Sequence, residues 1–214
     1  MSSALIKICG IKDPTLAYDA VRIGAHYIGI MTFSKSKRYV DIDTAKKIAQ
    51  ATQQAGGIPV AVFVNADAHE MQSFCQATEI DTVQLHGNLS RSSHHLLPDT
   101  IKRIYAIAVD SDGKIQRDTD GGQSKLKKDR DQLLFDHIHP GSGIPFQITH
   151  FQANTDFSYF LAGGLTPDNV TTAIQLTSPN AVDVSSGVEK ISGIKDRCLI
   201  ESFIQAVKSC TNQH

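Results

Sequence analysis

Short apolar runs of about 4 to 8 residues alternate along this chain with longer segments whose apolar positions recur every three or four residues. Runs of the first kind suit strands buried on both faces; segments of the second suit helices with one buried stripe. The first half predicts strands Leu5–Cys9, Tyr27–Met31, Pro59–Val64 and Thr82–Leu85. Between them lie helices Pro14–Ile23, Ile42–Gln54, Ala68–Ala77 and Ser90–Leu97. The second half predicts strands Lys102–Val109, Gln132–Phe135, Ser158–Ala162 and Ala181–Val184, with helices Pro167–Leu176 and Asp196–Ser209. Punctuation agrees with the pattern. Asp13 caps the first helix, Pro14 opens it and Gly24 stops it; Asp41 or Asp43 caps the second, and Gly56-Gly57 ends it.

Strand–helix alternation without hairpin signals predicts parallel βαβ units. Eight strands joined by short connections give a closed (β/α)8 barrel, a TIM barrel of the α/β class, with residues 1–214 as one domain. An open doubly wound sheet would want a G-x-G-x-x-G turn after the first strand, and KICGIKD does not supply one. Two stretches fit the repeat badly. Asp110–Asp131 stands where the fifth helix belongs but is almost wholly polar and is interrupted by Gly121-Gly122, which predicts a flexible or partly helical surface segment. Ile148–Asn154 is short and β-rich, so helices five and six are expected to be weak or irregular.

Composition narrows the function classes. With 41% hydrophobic and 20% charged residues among 214, the chain can build a core and is not of the disordered type. A formal net charge of -1 gives no reason to expect a nucleic-acid or anionic-membrane partner. No apolar run approaches the roughly 18 residues of a membrane span, and MSSALIKICGIKD lacks a signal-peptide core, so the expected location is cytoplasmic. Cys9, Cys75, Cys198 and Cys210 lack metal-ligand spacing and are expected as free thiols; His137 and His139 have no carboxylate cluster beside them, and no metal is expected. The sequence does not set the oligomeric state, and a monomer is the working expectation.

In a (β/α) barrel the active site gathers at the carboxyl ends of the strands. Here those ends carry Cys9, the basic run Lys35, Lys37 and Arg38, then Asn65, His86 and Asp136. Gly163 and Gly164 follow the seventh strand, and Asp183, Ser185, Ser186 and Gly187 the eighth. Small residues in the last two loops let backbone N–H groups approach an anion, so LAGGL and DVSSGVE predict a phosphate cradle. The spacing itself points no further than a small phosphorylated molecule.

The motifs KICGI, SKSKRYV, VFVN, QLHG, FDHIHPGSG, LAGGLTPDNV and VDVSSGVE occur in that order along nearly the whole chain. Together they resemble the phosphoribosylanthranilate isomerase family. That resemblance implies a TIM barrel that carries out the Amadori rearrangement of N-(5-phosphoribosyl)anthranilate in tryptophan biosynthesis, without cofactor or metal. It puts the general base on Cys9, the general acid on Asp136 and the contact to the anthranilate carboxylate on Arg38. Phosphate binding falls on Gly164 and Ser185-Ser186-Gly187, with Gly141 and Gly143 nearby. Such a base is expected to have a pKa tuned to near 7 to 8 (roughly, for a reactive thiol). One departure stands out: GSGIPFQI keeps Phe146 but has Gln147 and Ile148 where the family has Asp and Trp.

Other barrels fit less well. An indoleglycerol phosphate synthase would need a catalytic lysine at an inner strand end; Lys7 shares the face of Cys9 by parity but lies inside the strand. A pentose phosphate epimerase would need more metal ligands than His86 and Asp136. A phosphosugar-binding barrel without turnover would need neither Cys9 nor Asp136.

Overall fold

The computed structural model describes residues 4–116 and 122–210. Strands β1 (Leu5–Cys9), β2 (Tyr27–Met31), β3 (Ile58–Phe63), β4 (Thr82–Leu85), β5 (Lys102–Val109), β6 (Asp131–His137), β7 (Tyr159–Leu161) and β8 (Ala181–Val184) close into a barrel in chain order. Every neighbouring pair in it is parallel, and β1 seals the ring against β8 with Lys7 opposite Asp183. Helices α1 (Pro14–Ile23), α2 (Ile42–Gln54), α3 (Ala68–Thr78), α4 (Asn88–Ser93), α5 (Val170–Thr177) and α6 (Arg197–Ser209) cover the outside. Asp13, Asp41, Asp67 and Asp196 each accept a backbone N–H at a helix start, satisfying donors that the first turn leaves free. Among the described residues no helix is long and apolar enough to cross a membrane.

Strand parity divides the core in two. One face of each strand packs against the helices in the larger apolar cluster. The other faces the barrel axis, where Tyr27, Val60, Ile104, Ala106, Leu134, Phe160 and Ala181 fill the interior. Tyr27 meets Phe160 edge to face at 5.3 Å between centroids. Polar side chains take over the inward positions toward the carboxyl ends, so the lower barrel is a packed plug and the upper barrel is a mouth.

The irregular stretches have local causes. Where a fifth helix would stand, residues 110–115 fold back on the end of β5: Val109 bridges Ile115, and the Asp110 carboxylate accepts the N–H groups of Asp112 and Lys114. Gln123–Lys125 forms one 3₁₀ turn, while residues 117–121 of that predicted segment, Gly121 among them, lie outside the described residues. Ile148–His150 is likewise a single 3₁₀ turn. Its approach is held by buried Phe146, which packs on Phe151, and by the Gln147 N–H donating to the Ser111 carbonyl at 2.9 Å. The Gln147 contact thus anchors the loop after β6 to the loop after β5.

Several boundaries differ from expectation. The predicted helix Ser90–Leu97 begins earlier, at Asn88, and tightens to 3₁₀ over His94–Leu96 ahead of Pro98. The helix predicted from Pro167 begins at Val170, because the Asn169 side chain accepts the Thr166 N–H and turns the intervening residues. Strand β6 runs through Asp136 to His137 instead of stopping before it. A hairpin that the sequence reading lacked, β9 (Glu189–Ile191) with β10 (Ile194–Lys195), rises after β8 around Ser192-Gly193.

Candidate active site

The mouth is built from inward positions of β1, β4, β6 and β8. Cys9 ends β1, two residues above Lys7 on the same face. It is almost fully buried, and Gly29 lies against it on β2, where a Cβ would stand 2.7 Å from the sulfur. Lys7 is wholly buried; its Nζ meets Asp183 Oδ1 at 2.9 Å and interacts with the Cys9 thiol. Asp136 stands on β6, with its Oδ2 3.8 Å from His86 Nε2 at the end of β4.

Burial and charge set the protonation of this group. Burial, reinforced by the Asp183 carboxylate, pushes Asp136 up to about 7. Burial and then the cations Lys7 and Arg91 bring His86 down to about 4. Between those values both partners are neutral, so His86 and Asp136 form a polar contact and not an ion pair. The expected tuning of Cys9 toward neutrality is not met: burial pushes the thiol up, and the pull of Lys7 and Lys195 only partly offsets it. At neutral pH Cys9 rests as a thiol.

The predicted cradle comes together. Gly141 and Gly143 after β6, Gly163 and Gly164 after β7, and Ser185 and Ser186 after β8 line one cavity with Asp136 and Asp183. All four glycines have positive φ, between 70° and 89°. A Cβ on Gly164 would stand 2.5 Å from the Pro145 nitrogen, so the loops after β6 and β7 meet only because that atom is missing. One expectation changes here. Gly187 does not line the cavity; its missing Cβ, which would fall 1.9 Å from the Leu165 carbonyl oxygen, lets the β8 loop lie against the β7 loop. Asp183 lines the cavity and is paired with Lys7.

Arg38 extends across Gly10, where a Cβ would lie 2.6 Å from its Cδ. Its Nε and Nη2 both donate to Glu189, at 2.6 and 3.0 Å. Glu189 also accepts from Lys195 Nζ at 2.7 Å and from the Gly193 N–H at 3.0 Å. Burial alone would push this carboxyl up, yet those hydrogen bonds hold it at about 2. Lys195 goes on to donate to the Ser185 carbonyl and hydroxyl, and that hydroxyl donates to the Cys9 carbonyl at 3.0 Å. Glu189 and Lys195 are the members that sequence reasoning missed. The Ser192-Gly193 turn between EKI and IK was the signal that would have placed both on a hairpin. Lys35, Lys37 and Asn65 are not part of this group.

Residues 6–206 match the family described as N-(5'phosphoribosyl)anthranilate (PRA) isomerase. An N-(5'-phosphoribosyl)anthranilate isomerase of Chlamydia felis is 38% identical over 204 residues, covering 95% of this chain and 96% of that protein. The chloroplastic isomerase 1 of Arabidopsis thaliana is 35% identical over 209 residues, covering 96% of this chain and 75% of its own length. Among solved structures, the phosphoribosyl anthranilate isomerase of Thermotoga maritima superposes with a TM-score of 0.79 at 31% identity, over 96% of this chain and 99% of that one. A phosphoribosyl anthranilate isomerase in complex with reduced 1-(o-carboxyphenylamino)-1-deoxyribulose 5-phosphate does so with a TM-score of 0.71 at 30% identity, over 96% and 99%.

Proposed function

The chain belongs to the N-(5'-phosphoribosyl)anthranilate isomerase family, and from that membership we propose how its residues carry out the rearrangement of phosphoribosylanthranilate in tryptophan biosynthesis. Asp136 is the general acid, Cys9 the general base, Arg38 the anchor for the anthranilate carboxylate, and the loops after β6, β7 and β8 the anchor for the phosphate. The observation that carries this reading is Asp136 itself, a carboxyl held near 7 on the wall of the glycine cradle.

The steps follow from those positions. Asp136 gives its proton to the ribose ring oxygen as the C1–O bond breaks, and the anthranilate nitrogen lone pair forms the Schiff base. The cationic C=N draws electrons from C2, and Cys9 takes the C2 proton. The enolamine becomes the ketone by gaining a proton at C1 and losing one from the enol hydroxyl, so reactant and product are isomers. Holding substrate at both ends positions the sugar between acid and base. Arg38 suits its end because Glu189 fixes the guanidinium plane, leaving Nη1 clear of that fork.

The resting thiol fits this chemistry through proton count. Above about pH 7 the mouth holds one proton on Cys9 and none on Asp136. Moving that proton to Asp136 produces the working pair without exchange with solvent. The value of kcat/KM should therefore rise with pH up to about 7 and then stay level until the Cys9 thiol itself titrates.

The test is the fluorescence decay of phosphoribosylanthranilate generated in the cuvette. Wild type should accelerate the decay well beyond the spontaneous rate, and Cys9→Ala and Asp136→Asn should each lose that acceleration. A folded wild type that leaves the decay unchanged would instead favour a barrel that binds a phosphosugar without turning it over.

A further inference from the structure

The reaction uses Cys9 and Asp136, but a third charged element lies beneath them and has no place in the chemistry as written. Lys7 is 0% exposed and Asp183 7%, and they meet at 2.9 Å inside the barrel. Burying two charges is costly, and such a pair is often no more stable than apolar replacements of similar volume. A fold that needed only to fill this space could use the aliphatic types that fill the plug below.

The pair also has a direction. Lys7 belongs to the strand of Cys9 and interacts with its thiol. Asp183 belongs to β8, which lies between β1 and the β7–β6 side of the ring where Asp136 stands, and both carboxylates line one cavity. Positive charge therefore sits beneath the base and negative charge toward the acid. We propose that Lys7 and Asp183 are positioning residues for the proton, an oriented buried dipole that favours the thiolate on Cys9 and the protonated carboxyl on Asp136. This rests on the assignment of those two groups as base and acid.

The groups facing the mouth bear the reading out. Around Cys9 stand Lys7 on its own strand, Asp183 from β8 and Lys195 from β10, while β2 offers only Gly29; Arg38 is occupied by Glu189. Of the charged groups acting on the thiol, Lys7 acts most strongly and favours the thiolate. Around Asp136 stand Asp183, Lys7 and neutral His86. There the strongest charge is Asp183, which favours the protonated form, and Lys7 acts least. One ion pair thus pushes the two groups in opposite directions, as a dipole does and a neutral filler does not.

The experiment compares wild type, Lys7→Met, Lys7→Arg and the double variant Lys7→Met/Asp183→Asn, each confirmed folded by thermal melting. The double variant leaves no unpaired buried charge and remains informative where Lys7→Met fails to fold. Alkylation of Cys9 by iodoacetamide at one mildly alkaline pH, followed on the Cys9 peptide by mass spectrometry, needs no substrate. Loss of the neighbouring cation should raise the thiol by about 1 to 3 pH units. Each unit slows alkylation by about threefold, because the remaining thiolate becomes more nucleophilic as it becomes scarcer. Lys7→Met should react most slowly, the double variant less slowly, and Lys7→Arg near the wild-type rate. In the double variant the acidic limb of kcat/KM should also move to lower pH, opposite to the Cys9 shift. Wild-type alkylation rates in a folded Lys7→Met or double variant would overturn the proposal, as would movement of both groups in the same direction. Should alkylation respond while Cys9→Ser isomerises like wild type, the dipole stands and the assignment of the base falls.

Discussion

Two buried ion pairs in this barrel have the same ingredients and opposite circumstances. Arg103 and Asp131 lie on the outward face of β5 and β6, with Nε to Oδ1 and Nη2 to Oδ2 both at 2.6 Å. The remaining Arg103 nitrogen reaches His94 Nδ1 and the His94 carbonyl, each at 3.0 Å, and Asp131 also accepts the Lys127 N–H. Lys7 and Asp183, inside the barrel, share a single contact. The outer pair is saturated by backbone and side chains and ties the turn before β5 to the start of β6. The inner pair is directed instead at Cys9 and Asp136, the base and acid proposed above. On the proposed mechanism, saturation separates a charge that holds the fold from a charge that acts on the reaction.

The sharpest way to separate these roles is to remove charge at the mouth. Asp136→Asn should lower kcat by on the order of 10²-fold or more while leaving substrate affinity nearly intact. The same change should stabilise the protein. The folded value of about 7 lies above the ordinary 3.8, so the stability that Asp136 contributes is complete below about pH 4 and lost as pH rises through about 7. Above that range the amide should be more stable than wild type by up to ~4 kcal/mol, read by urea melts at several pH values. A variant both inactive and destabilised would remove the distinction between mouth and wall.

Breaking the outer pair should do the reverse. Arg103→Met leaves Asp131 buried without its fork and should cost ~3–5 kcal/mol in a urea melt, with the folded fraction turning over at the wild-type rate. Glu189→Gln probes the case between, a saturated carboxylate at the mouth. It should raise KM several-fold with little change in kcat, because Arg38 loses its fixed plane. Glu189 sits at about 2 against the ordinary 4.5, so its contribution to stability is present above about pH 4.5 and lost as pH falls through about 2. Acid titration of the variant should flatten across that window. The smallest effect is expected from Gly164→Ala. Strain at its positive φ and the close Pro145 nitrogen should cost ~1–3 kcal/mol and weaken phosphate binding, seen as a rise in KM without a change in the pH profile.

Much of this arrangement is legible in the sequence because local signals and the barrel's parity agree. Strands β1, β2, β4, β5 and β8 lie where their apolar runs predict, and parity alone puts Lys7 on the face of Cys9. Gly141, Gly143, Gly163 and Gly164 are readable as a cradle because their residue type matches the backbone that loops of this kind need. The Glu189–Lys195 hairpin is harder to read, since its strands have three and two residues and alternate too briefly for a period to emerge. The saturation of Arg38 was invisible for the same reason: its partner lies 151 positions away, on that hairpin. The protonation of Cys9 is not legible in the sequence because burial, the largest influence on it, depends on how the ring closes around β1.

That buried thiol has a consequence for the protein between turnovers. Peroxides and other oxidants attack thiolates, and a cysteine exposed with a low pKa is readily carried to sulfenic and then irreversible acids. Cys9 is 6% exposed and rests protonated, so on the proposed mechanism its reactive form exists chiefly when its proton is lent to Asp136. With the proposed base stored in this state, the protein should keep its activity through oxidative stress that would disable an open, thiolate-bearing site.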